Sequence, residues 1–138
     1  MADIVSQRKR SSMMRQVSQR DTPAEVGVRK FLFAKGFRFR KNDRRLPGSP
    51  DIVLPRYRTA IFVHGCFWHQ HQGCSKSRRP TSNQEFWNEK LDENVKRDQR
   101  KEEQLRALGW RVCFIWECEY RDFILLSRAL SPLLDSRI

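Results

Sequence analysis

All three histidines of this 138-residue chain fall in the eight-residue run His64-Gly-Cys-Phe-Trp-His69-Gln-His71, which also holds Cys66 and ends just ahead of Cys74. The spacing Cys66-x4-His71-x2-Cys74 puts three borderline-soft ligands in one loop, and Cys118, after the last apolar run, can supply a fourth. Such a set suits a tetrahedral zinc. Buried unligated thiols fit less well, because the loop is otherwise polar and glycine-bearing and needs a staple to hold one shape. Cys113 is different: it lies inside the apolar run Trp110 to Trp116 and reads as a small core residue.

His64 and His69 are left for other chemistry. Upstream, Asp51 follows Pro50 at the head of an apolar run. A carboxylate at a strand start, followed by a hairpin that returns to a histidine, sets an oxygen-bound divalent cation beside a general base. That is a hydrolytic site for phosphodiesters. Its hard ligands favour Mg2+, which keeps several waters and takes one or two protein oxygens. Taken singly, Asp51 reads equally as a turn or cap residue, and His64 as a satisfied structural histidine; their convergence favours catalysis. Phe67-Trp68 lie in the same loop and off any amphipathic face, placed either to enter a base stack or to roof the loop as core. Trp87, taken alone, reads as core.

The elements that must position these residues follow from local signals. Thr22 caps a helix whose first turn takes Pro23, Glu25 completes a capping box, and Ala24, Val28, Phe31 and Leu32 form its apolar stripe up to Gly36. Phe37 and Phe39 alternate with Arg38 and Arg40 as in a half-exposed strand. The loop Leu46 to Pro50 leads into a strand Asp51 to Leu54, paired in a hairpin with a buried strand Thr59 to Val63. Phe86, Leu91, Val95, Leu105 and Leu108 keep near-helical spacing up to Gly109. A strand Trp110 to Trp116 follows, then a last helix Asp122 to Leu130 with Pro132 just beyond it. This order predicts a single α/β domain, a mixed central sheet flanked by helices, with a zinc loop, over residues 21–138.

Charge points to the partner. The net charge is +12; residues 1–80 carry 18 basic and 5 acidic side chains, against 10 and 11 in residues 81–138, so the polyanion meets the front of the chain. Twenty of the 28 basic residues are Arg, whose planar fork suits phosphates and base edges. Residues 1–20, with Arg8, Lys9, Arg10, Arg15 and Arg20 but no sustained period, read as a basic arm. They lack the apolar run of a signal peptide, and no stretch is long enough to span a bilayer, so a soluble cytoplasmic protein without membrane contact is expected.

Taken together, Arg10-Ser-Ser-Met-Met-Arg15, Arg20-Asp-Thr22 with Glu25, Leu46-Pro-Gly-Ser-Pro-Asp51, Phe62-Val-His-Gly-Cys-Phe-Trp-His69, Glu85-Phe-Trp87, Asn94-Val-Lys-Arg-Asp98 and Gly109-Trp-Arg-Val112 with Trp116-Glu-Cys118 make the chain resemble the very short patch repair (Vsr) DNA mismatch endonucleases of bacteria. The resemblance implies a type II restriction endonuclease-like fold. It also implies a strand-specific nick 5′ of the thymine in a T·G mismatch left by deamination of 5-methylcytosine, made by a monomer at the nucleoid and followed by downstream repair proteins. By position, Asp51 and the backbone carbonyl of Val63 would bind Mg2+. His69 would be the general base, supported by Asp98, with His64 and Glu25 completing the shell. Phe67, Trp68 and Trp87 would wedge beside the mismatch from the major groove and Met14 from the minor groove, with Arg10, Arg15 and Arg20 gripping the duplex. Cys66, His71, Cys74 and Cys118 would hold structural zinc. Two departures stand out: Val63-His-Gly65 replaces the acid-x-Lys pattern common in this fold, and Gln70, Gln72 and Gly73 make the zinc loop one residue longer than its short form. A zinc-stabilised module that binds distorted DNA without cutting, and an RNA-processing nuclease, are the competing readings.

Overall fold

In the computed structural model, residues 21–136 are described. The expected basic arm, with Arg10, Met14, Arg15 and Arg20, lies outside them. Helix α1 (Pro23–Ala34) starts as its sequence demands: the Thr22 hydroxyl accepts from the Glu25 N–H at 3.2 Å. The Glu25 carboxylate reaches back to the N–H of Asp21 at 3.1 Å, one residue beyond the reciprocal bond of a simple capping box. At the other end Gly36, with φ +87°, lets the Gly36 N–H reach the Phe33 carbonyl at 2.9 Å and the Phe37 N–H reach the Leu32 carbonyl at 3.0 Å. Ala24, Val28 and Leu32 form the buried stripe.

This closure also explains a difference from expectation. Phe37 is tied back to the helix end and buried in the core, so the strand foreseen from Phe37 is only β1 (Arg40–Lys41). Strands β2 (Ile52–Leu54), β3 (Thr59–His64) and β4 (Arg111–Trp116) complete a sheet of order β1-β2-β3-β4. β1, β2 and β3 run antiparallel in turn, with Ile52 opposite Ile61, whereas β4 runs parallel to β3 from Thr59 beside Arg111 to His64 beside Trp116. A parallel neighbour requires a crossover, which α2 (Gln84–Ala107) supplies before Gly109 stops it.

Side-chain alternation along β3 and β4 makes two cores. Ile61, Cys113 and Ile115 pack with Ile52, Leu54, Val28 and Leu32 on one face, to which α3 (Phe123–Ala129) adds Leu126, α4 (Ser131–Asp135) adds Leu133, and the residue between them adds Leu130. Ala60, Phe62 and Val112 pack with Leu105 of α2 on the other. Each fully buried aliphatic side chain among these contributes about 1.5–3 kcal/mol of hydrophobic stabilisation. Pro132 departs from expectation: it opens α4 instead of lying beyond the last helix, because a proline fits a first helical turn, where its missing N–H has no intrahelical partner. The architecture is the single-domain mixed α/β sheet flanked by helices that the element order predicted. No helix among the described residues is long and apolar enough to cross a membrane.

Candidate active site and metal cluster

The C-terminal ends of β3 and β4 and the start of β2 open onto a cleft of about 640 Å³. Asp51 sits at its floor, where its Oδ2 accepts from the Val63 N–H at 2.7 Å. Burial pushes the Asp51 carboxyl up to about 7; the Val63 N–H opposes this, while the nearby Glu25 carboxylate adds to it. Glu25, itself buried at the first turn of α1, faces the same cleft. Two carboxylates that face one cleft suit a hard divalent cation. The N–H and C=O of Val63 leave the strand on one side, and the β2–β3 register carried two residues on sets Pro50 opposite. Proline brings no N–H to the Val63 carbonyl, which suits that oxygen to a cation. Gly48, in the loop before Pro50, is required by packing: at φ +77° a Cβ there would come within 3.1 Å of the Phe62 ring.

Beside the carboxylates, His64 and His69 stack with ring centroids 3.7 Å apart and planes 8° from parallel. His64 is buried, and burial, with the charge of His69 against it, pulls its pKa down to about 2, so it is neutral. The Nδ1 of His69 lies 2.6 Å from Asp98 Oδ2 on α2. A carboxylate oxygen accepts, so in the tautomer with the proton on Nδ1 this contact is a hydrogen bond and Nε2 has its lone pair free to take a proton from water. Ligand atoms of His64, His69 and Asp98 lie within 4.8 Å of one another, but the parallel stacked rings direct their lone pairs side by side and do not converge on an ion.

The second cluster does converge. Ligand atoms of Cys66, His71, Cys74 and Cys118 lie within 4.8 Å of one another, with His71 Nδ1 at 3.7 Å from Cys66 Sγ and 3.4 Å from Cys118 Sγ. Tetrahedral zinc bonds of roughly 2.3 Å to sulfur and 2.0–2.1 Å to nitrogen set a sulfur–nitrogen edge near 3.5 Å, so the residues fit the ion. All four cysteines are free thiols, and Cys113 is buried in the sheet core as its apolar run suggested. Trp116 lies between the two centres, stacked on His71 at 4.2 Å and edge-on to His64 at 5.3 Å. Glu117 Oε1 accepts from the Cys66 N–H at 3.3 Å.

Phe67, Trp68 and Trp87 come together as anticipated: Phe67 packs edge-on to Trp68 at 5.1 Å and to Trp87 at 5.7 Å. Trp87 is buried, so its reading as a core residue also holds for the free protein. The sequence reading missed the cations of the cleft, Lys76, Arg97, Lys101 and Arg121. Two had a visible signal: Arg97 and Lys101 flank Asp98 at a spacing that shares one helix face.

The family model of the DNA mismatch endonuclease Vsr matches residues 2–76. The chain is 46% identical over 134 residues to the type II nicking enzyme V.NmeAIP of Neisseria meningitidis, covering 97% of this chain and 95% of that one. It is 45% identical to the type II nicking enzyme V.XorIIP of Xanthomonas oryzae pv. oryzae, covering 98% of each. To the DNA mismatch endonuclease Vsr of Escherichia coli K12 it is 46% identical over 121 residues, 88% of this chain and 77% of that one. Identity of this extent across nearly the whole chain assigns it to the Vsr family of restriction endonuclease-like fold, and makes it a DNA endonuclease.

Proposed function

We propose that this endonuclease nicks one strand of duplex DNA on the 5′ side of the thymine in a T·G mismatch left by 5-methylcytosine deamination, so that a very short patch can be resynthesised by downstream repair proteins. The observation that carries the reading is the single cleft in which Asp51, Glu25 and the His69–Asp98 pair meet, next to the aromatic group Phe67, Trp68 and Trp87. The DNA mismatch endonuclease Vsr of E. coli, at 46% identity, supports a mismatched duplex as the substrate.

Asp51 and the Val63 carbonyl would hold Mg2+, with Glu25 facing it; the ion supplies charge neutralisation at the scissile phosphate and a more acidic water. Asp98 fixes the tautomer of His69, whose Nε2 takes the proton of the attacking water, a role worth about 10²–10⁴-fold. Neutral His64 holds the His69 ring by stacking and offers its own ring nitrogens to the phosphate shell. Phe67 and Trp68 enter the base stack at the mismatch, where unstacking costs least, and Trp87 supports them from below. Cys66, His71, Cys74 and Cys118 would hold a structural zinc that ties the loop to the end of β4. Arg10, Arg15 and Arg20 would grip the duplex and Met14 would enter from the minor groove, with the enzyme acting as a monomer in the bacterial cytoplasm.

The test is nicking of matched duplexes that differ at one pair. With Mg2+ present, a T·G duplex is cut 5′ of the thymine and the T·A and C·G duplexes are not. Equal cutting of all three would replace this reading with that of a nicking enzyme blind to mismatches.

A further inference from the structure

Four residues, Phe67 to Gln70, lie between Cys66 and His71, so two members of the Cys/His cluster bracket the segment that carries the aromatic pair and His69. Gln70 closes the segment in the left-handed region, at φ +52°. Its amide nitrogen donates to the carbonyls of Phe67 at 2.7 Å and Ser77 at 3.1 Å, and its amide oxygen accepts from Arg79 Nε at 2.8 Å. The other two guanidinium nitrogens of Arg79 reach α2, at Asn88 Oδ1 (3.0 Å) and Asp92 Oδ1 (2.7 Å). Further along the same helix, Asn94 holds the Trp68 carbonyl at 3.3 Å and Asp98 holds His69.

From this continuous path, Phe67 carbonyl to Gln70 to Arg79 to α2, we infer that Gln70 and Arg79 are positioning residues that set the aromatic pair and His69 in register with one another. Neither lines the cleft. The inference rests on the roles given above to His69, Phe67 and Trp68. The strut fixes direction more than it adds stability: an ion pair as exposed as Arg79–Asp92 contributes little. A planar fork engaged by all three nitrogens, however, holds Gln70 at one angle, and small misplacement of reacting groups is costly in rate.

The experiment compares full-length Arg79→Ala, Arg79→Lys, Gln70→Ala and the double alanine variant by single-turnover nicking, duplex binding, zinc content and amide hydrogen exchange over residues 67–70. Each single alanine variant slows nicking about tenfold, narrows the preference for T·G over paired DNA, and speeds exchange in the segment, with zinc content unchanged. Arg79→Lys behaves as Arg79→Ala, since an ammonium cannot span the three acceptors in plane. The double variant is no slower than either single one, because both residues lie on one path. Wild-type rates and exchange in Arg79→Ala, or independent effects that multiply in the double variant, overturn the inference. Should Arg79→Ala fail to fold, Gln70→Ala decides it on the same readouts. If the wild type cuts mismatched and paired DNA alike, the mismatch reading fails, while rate on either duplex and exchange still decide the strut.

Discussion

Between Cys66 and Cys74, and from just beyond the end of β4, the chain gathers soft ligand atoms within 4.8 Å of one another, whereas a few residues away hard oxygens and an imidazole pair line a cleft. The two regions interleave in sequence, since His64 and His69 alternate with Cys66 and His71. They differ in how each is held. The cluster draws on its own ligands and on Trp116 stacked over His71, while the cleft depends on distant elements: Glu25 on α1, Asp51 before β2 and Asp98 on α2. In the proposed reading one loop serves two chemistries: a zinc held by the cluster would fix its ends, and the helices orient what lies between.

The contrast predicts that the two regions fail separately. The largest effect belongs to Asp51→Ala, which removes the carboxylate proposed to hold the cation and is expected to lower nicking by about three orders of magnitude, as for losing several kcal/mol of charge stabilisation. Zinc content and duplex binding stay at wild-type levels. A rate within tenfold of wild type would break the division.

Cys66→Ser acts on the other side of the comparison. If the four residues hold zinc as proposed, the wild type is expected to carry about one equivalent per chain and this variant to lose it and unfold at a lower temperature, because the binding free energy of a structural ion is folding free energy. Cys113→Ser keeps the ion. Elemental analysis beside thermal unfolding checks both.

A smaller effect comes with pH. Asp51, raised to about 7 chiefly by burial, carries a proton below that pH that a bound cation must displace. Half-saturating Mg2+ therefore rises about tenfold per unit as pH falls below 7 and levels off above it. The zinc content is constant across the same range. A midpoint flat from pH 6 to 8 would contradict the placement of the ion at this carboxylate.

Much of this division can be read from residue types alone. The Thr22 cap, the Gly36 stop, the β2–β3 hairpin and the Cys66, His71, Cys74 spacing are local signals, and local signals survive folding. What sequence patterns miss is what long-range packing decides. Phe37 alternates like a strand residue, yet the helix closure at Gly36 turns it into the core; Pro132 reads as a stop but starts a helix. Asp98 emerges only through family resemblance, since its partner His69 lies 29 residues away, and Gln70 and Arg79 carry no motif. The polar contacts that orient the site join segments whose proximity depends on where α2 lands.

The loop sends His69 to the cleft and His71 to the cluster. His69→Ala tests this division of roles in one sample, by elemental analysis and single-turnover nicking of a T·G duplex with Mg2+ present. The expected result is a full equivalent of zinc with nicking lowered by at least about 10²-fold, the range for losing a general base. Loss of the zinc, or nicking at the wild-type rate, would contradict it.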